Sequence, residues 1–130
     1  MAHILVVDDE RDVVTLIKFL LEKDGHTVAG AYNGKEALAV LGVEPKAIKE
    51  EKDRPDLILL DVMMPVMDGT EVVRRLEGVN GLEKVPMLVL SAKAQAHDVF
   101  TKSDRKIMYL EKPFDPKKLR LVIESILKGE

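Results

Sequence analysis

A single α/β domain, with one parallel sheet of five strands wrapped on both faces by five helices, is predicted by three observations. First, five short apolar segments read as strands, at residues 3–7, 27–31, 56–60, 85–90 and 106–110. The clearest, HILVV and DLILL, lack period-2 alternation, as strands buried on both faces do. Second, stretches of helical spacing separate these segments. Third, the 130 residues contain no internal repeat, low-complexity tract or linker, so residues 1–130 form one domain large enough to bury a core.

Each element has its own warrant. After the first strand, Val13, Val14, Ile17, Leu20 and Leu21 recur at helical spacing over residues 11–24, and Gly25 supplies the stop. Residues 27–31 form a short strand, and Asn33 caps a helix running to Leu41. Residues 42–55 turn polar, Pro45 interrupts any long helix, and residues 46–52 have room for an extra helical turn. The third strand, 56–60, gives way at Asp61 to Met63-Met64-Pro65 and Asp68-Gly69, which build a turn. Residues 70–76 are helical, and the fourth strand, VPMLVL, leads to Ser91-Ala92-Lys93. A weakly patterned helix over 94–101 precedes the fifth strand, which leads to Glu111-Lys112-Pro113-Phe114. Asp115 as cap and Pro116 in the first turn open a final amphipathic helix carried by Leu119, Val122, Ile123, Ile126 and Leu127.

Composition narrows the function. The absence of cysteine excludes disulfides, thiolate metal sites and cysteine nucleophiles, and fits a reducing compartment. A net charge of −3 with 33% charged residues describes a surface of mixed sign, without the basic footprint of a nucleic-acid binder. Direct nucleic-acid binding is therefore not expected. No apolar run is long enough to span a bilayer, and the N-terminus lacks a signal pattern, so a cytoplasmic protein without membrane contact is expected.

In a parallel sheet every strand ends on one rim, where ligands collect. Asp8, Asp9, Asp61, Ser91 and Lys112 converge there if the first, third, fourth and fifth strands are neighbours. Singly, each has a plain explanation: an acidic first helical turn, a turn serine, a solvated lysine. Together, three carboxylates, a hydroxyl and an ammonium suit phosphoryl transfer to an aspartate. A hard cation such as Mg²⁺ relieves the carboxylate repulsion, and the ammonium meets a phosphoryl oxygen.

Four motifs in this order, Val6-Val7-Asp8-Asp9-Glu10, the stretch 56–69 (DLILLDVMMPVMDG), Leu90-Ser91-Ala92-Lys93 and Tyr109-Leu110-Glu111-Lys112-Pro113-Phe114, carry a resemblance. Along nearly its whole length the chain resembles the receiver domain of bacterial two-component response regulators, including chemotaxis regulators. The resemblance implies a flavodoxin-like sheet of order 2-1-3-4-5. It implies that Asp61 accepts a phosphoryl group from a sensor histidine kinase or a histidine phosphotransfer protein. Mg²⁺ would be held by Asp9, Asp61 and the backbone carbonyl of Met63, with Asp8 acting through water. Lys112 would pair with the phosphorylated carboxylate, across a cis bond to Pro113. Ser91 would move to the phosphoryl group and Tyr109 would follow it inward. The face formed by the 94–101 helix, the fifth strand and the final helix would relay the change to a protein target or a fused effector domain.

Two departures from the family pattern stand out: the longer 42–55 segment, and Lys102-Ser103-Asp104-Arg105-Lys106 in place of a glycine-alanine-aspartate turn. Two alternatives compete with the switch. A haloacid-dehalogenase-like phosphohydrolase would carry a second aspartate where this chain has Met63, and 130 residues leave no room for its cap. A receiver-like module that takes no phosphate would have lost an acid or the lysine, and here all are kept. With its last residue at Glu130, the chain is expected to be either a stand-alone receiver or one excised from a larger regulator.

Overall fold

In the computed structural model the described residues are 2–43, 54–61, 69–76, 82, 85–91, 107–112 and 114–129. They contain β1 (His3–Val7), α1 (Arg11–Lys23), β2 (Thr27–Ala31), α2 (Gly34–Val40), β3 (Leu57–Asp61), α3 (Gly69–Leu76), β4 (Met87–Ser91), β5 (Ile107–Glu111) and α4 (Pro116–Leu127). All strand pairs are parallel and the sheet order is β2-β1-β3-β4-β5. The expected helix over 94–101 and the extra turn over 46–52 lie outside the described residues, which hold four of the five expected helices.

The unalternating strand sequences are explained by two cores, one on each face of the sheet. Leu5, Val7, Ile58, Leu60, Met87 and Val89 face α2 and α3. Ile4, Val6, Leu57, Leu59, Leu88 and Leu90 face α1 and α4, where Val14, Ile17, Leu119 and Ile123 meet them. Every second residue of β1, β3 and β4 is thus apolar on each side, as a doubly covered sheet requires.

The caps follow the residues that encode them. The Asn33 side chain accepts from Glu36 N–H, and the Asp115 side chain accepts from Lys117 N–H with Pro116 at the helix start. Gly25 ends α1 at φ 92°, a conformation that favours glycine. Gly30 is needed for a different reason: a Cβ there would stand 2.9 Å from Val14 Cγ1, so its absence lets α1 lie close on β2.

Strand boundaries shift slightly from expectation. Asp56 precedes β3, its N–H bonded to the carbonyl of His3 and its Oδ2 accepting from His3 N–H. β3 gains Asp61, in register with Leu90, and β4 gains Ser91, in register with Glu111. The ladder to the neighbouring strand, and not the apolar pattern, decides where a strand ends. No helix among the described residues is long and apolar enough to cross a membrane.

Candidate functional site

The C-terminal rim is built by strand ends. Asp8 and Asp9 follow β1, Asp61 closes β3, Ser91 closes β4 and Lys112 follows β5. Because β1, β3, β4 and β5 are consecutive in the sheet, these positions share one edge. The sequence expectation required that adjacency, and the topology supplies it.

Two of the three acids are buried: Asp8 is 0% exposed and Asp61 is 5% exposed, whereas Asp9 is open to solvent. One carboxylate oxygen from each of the three lies within 4.8 Å of the others. Asp8 has both oxygens engaged. Its Oδ1 accepts from Glu10 N–H at 2.9 Å and its Oδ2 accepts from Lys112 Nζ at 2.7 Å. Lys112 also stands 3.5 Å from Asp61 Oδ2 and 3.7 Å from Glu10 Oε1. Its shortest contact is therefore with the acid of β1.

Burial alone would lower the Lys112 pKa. The hydrogen bond to Asp8 and the charges of Asp61, Asp8 and Glu10 together outweigh it and hold the pKa above the ordinary lysine value. Lys112 is thus a fixed cation, suited to binding an anion and not to accepting a proton. Three gathered carboxylates against one ammonium leave an excess of negative charge, with two acids held away from water. Hard oxygen donors in that setting fit a divalent cation such as Mg²⁺. Asp8, Asp9 and Asp61 are the residues that could hold it.

Of the other expected site residues, Ser91 is placed on the rim by its backbone position, and Tyr109 is half-buried on the α2 and α3 side of the sheet, in register with Val89. Met63 and Pro113 lie outside the described residues, and with them the expected carbonyl ligand and the expected cis bond. Sequence reading missed the reach of Glu10 to Lys112, and also the stacking of Arg11, the first residue of α1, whose guanidinium lies 4.0 Å over the Tyr32 ring. Glu10 had a signal, its place directly after two rim acids. The Arg11 contact had none at the level of spacing.

A doubly wound sheet whose carboxyl rim gathers three carboxylates, two of them buried, and a lysine defines an α/β module with a candidate cation site beside a fixed ammonium. The comparisons make the class specific. Residues 4–124 match the family model of the response regulator receiver domain, and the chain belongs to that family. It is a receiver domain of two-component systems, a phosphoacceptor signalling switch. It is 39% identical to the alkaline phosphatase synthesis transcriptional regulatory protein PhoP of Bacillus subtilis, over 96% of this chain and 48% of the relative. Among solved structures it is similar to the chemotaxis response regulator CheY4 of Vibrio cholerae, with a TM-score of 0.80, 30% identity, and 97% and 98% of the two chains covered. It is also similar to the response regulator TrrA of Thermotoga maritima in complex with Mg²⁺ and BeF, with a TM-score of 0.74, 27% identity, and 97% and 99% covered.

The chain spans about half the length of the curated relatives it matches. One of them is named a transcriptional regulatory protein, so the expectation that nucleic acid is not a partner finds no support in the comparisons.

Proposed function

We propose that Asp61 is the phosphoacceptor of this receiver, with Asp8, Asp9 and Lys112 as its working partners. The observation that carries the reading is that Asp61, nearly buried at the end of β3, lies within one carboxylate cluster and 3.5 Å from a fixed ammonium. Asp61 Oδ attacks the phosphorus of a phosphohistidine on a sensor kinase or phosphotransfer protein. The new P–O bond forms as the P–N bond breaks, and the bonding pair leaves with the imidazole. Mg²⁺, held by Asp9, Asp61 and the Met63 carbonyl with Asp8 through water, would neutralise charge on the phosphoryl oxygens.

The chain's own residues do the rest. Asp8 anchors the Lys112 ammonium beside Asp61, where it can meet a phosphoryl oxygen. Ser91, one strand over, supplies a hydroxyl donor to the phosphorylated form, and Tyr109 on β5 responds by moving inward. The β5 and α4 face then presents a changed surface to a downstream protein or a fused effector domain. Phosphoryl transfer to Asp61 and hydrolysis from it are the only chemistry assigned, in a cytoplasmic setting.

The test is incubation with a small acyl or amido phosphate, with and without EDTA. Labelling that needs Mg²⁺ and vanishes in Asp61→Asn supports the reading. Labelling indifferent to EDTA overturns the metal assignment.

A further inference from the structure

We infer that Glu10 is a positioning residue that restrains phosphoryl uptake, by drawing the Lys112 ammonium toward the solvent side of the rim and away from the phosphoryl position at Asp61. The inference rests on the reading of Asp61 as the phosphoacceptor.

Its basis is the disposition of three carboxylates about one ammonium. Lys112 Nζ is hydrogen-bonded to Asp8 Oδ2 at 2.7 Å, with Asp61 Oδ2 at 3.5 Å and Glu10 Oε1 at 3.7 Å. An ammonium carries three N–H groups, and Asp8 takes one. Asp61 and Glu10 both stand at ion-pair distance, so the two carboxylates pull on the ammonium with nearly equal reach and neither takes a short hydrogen bond from it. The backbone of Glu10 is pinned. Its N–H donates to Asp8 Oδ1, and its carbonyl accepts from Val13 and Val14 at the start of α1. The buried Asp8 carboxylate therefore holds both the Glu10 backbone and the Lys112 ammonium, one on each oxygen. The Glu10 side chain is 64% exposed.

A phosphoryl group on Asp61 adds charge and strong acceptor oxygens. To engage them fully, Lys112 must move its ammonium toward Asp61 and away from Glu10. Glu10 opposes that move by its own attraction. Its carboxylate also adds to the excess negative charge that an incoming phosphate anion meets at the mouth of the site. Both effects act in the same direction, against uptake.

The test compares labelling rates by a small acyl phosphate at saturating Mg²⁺ in wild type, Glu10→Gln, Lys112→Ala and the double variant. Glu10→Gln should label about two- to five-fold faster, the size of a largely exposed ion pair. The acceleration should be absent once Lys112 is replaced. Glu10→Gln keeps the backbone cap, and its amide spectrum should match wild type away from the rim. Equal rates in wild type and Glu10→Gln, or an acceleration that survives Lys112→Ala, overturn the role of Glu10. Absence of label in wild type overturns the phosphoacceptor reading itself, and the two failures are distinct.

Discussion

Lys112 Nζ lies 2.7 Å from Asp8 Oδ2 and 3.5 Å from Asp61 Oδ2, so the lysine after the fifth strand is bonded to the acid after the first, across the two strands between them. Asp8 is fully buried, and its charge is compensated by this ammonium and by one backbone N–H. The pair is therefore a structural element of the rim as well as part of its chemistry.

Removing one partner should expose that dual role. Lys112→Ala leaves Asp8 buried with a single donor among the described residues, and the expected loss is on the order of 3 kcal/mol, the low end for breaking a buried pair because the Lys112 side chain is 17% exposed. Asp8→Asn combined with Lys112→Ala should cost less than the sum of the two single changes. Urea unfolding of the four proteins measures this. Additive losses would show that the two groups do not support one another.

Divalent cation should stabilise the fold. A cation that binds only the native cluster adds about 2.7 kcal/mol at a hundredfold excess over its dissociation constant. Mg²⁺ should raise the melting temperature of wild type at neutral pH, and should do so much less in Asp9→Ala. Asp9 is the solvent-facing acid of the cluster, so its loss removes a ligand without opening the core. Equal shifts in the two proteins would point to general screening.

Acid should weaken α3 through Glu71. Hydrogen bonds from Arg74 and then Arg75 hold the Glu71 carboxyl down at about 2, below its ordinary 4.5. A depressed folded pKa means that the stabilisation is present above the ordinary value and is lost as pH falls through the folded one. The stability gap between wild type and Glu71→Gln should therefore be steady at neutral pH, shrink as pH falls below about 4.5, and close near pH 2. Thermal melts across that range decide it. A gap that persists at the acid end would mean that Glu71 acts by something other than its charge.

Gly30 offers a packing test. A Cβ at this position would meet Val14 of α1 at 2.9 Å, and Gly30→Ala should cost about 1–3 kcal/mol, the range for overpacking, unless Val14 gives way. Adding Val14→Ala should recover part of that loss. If Gly30→Ala is neutral by urea unfolding, the approach of α1 to β2 is looser than 2.9 Å implies.

Much of this fold could be read from particular residues. The unbroken apolar runs HILVV and DLILL marked strands covered on both faces, and Asn33 and Asp115-Pro116 marked two helix starts that the structure places at those residues. The rim residues were legible because each follows or closes a strand, so topology alone gathers them. What sequence could not supply was side-chain reach. That Lys112 bonds Asp8 in preference to Asp61 depends on where a long flexible stem ends, and no spacing rule encodes that. The pairing of Arg120 with Asp24, which ties α4 to the end of α1, joins residues 96 positions apart. Gly30 was readable as a strand residue, but its close contact with Val14 depends on how α1 is seated.

The central claim is that one side chain, Asp61, carries the phosphoryl group. Its most direct test is to phosphorylate the protein with a small phosphodonor and Mg²⁺, trap the aspartyl phosphate by chemical reduction, and map the modified residue by peptide mass spectrometry. Modification is expected at Asp61 alone, with none in Asp61→Asn. Modification at Asp8, Asp9 or any other acid, or label retained by Asp61→Asn, would contradict it.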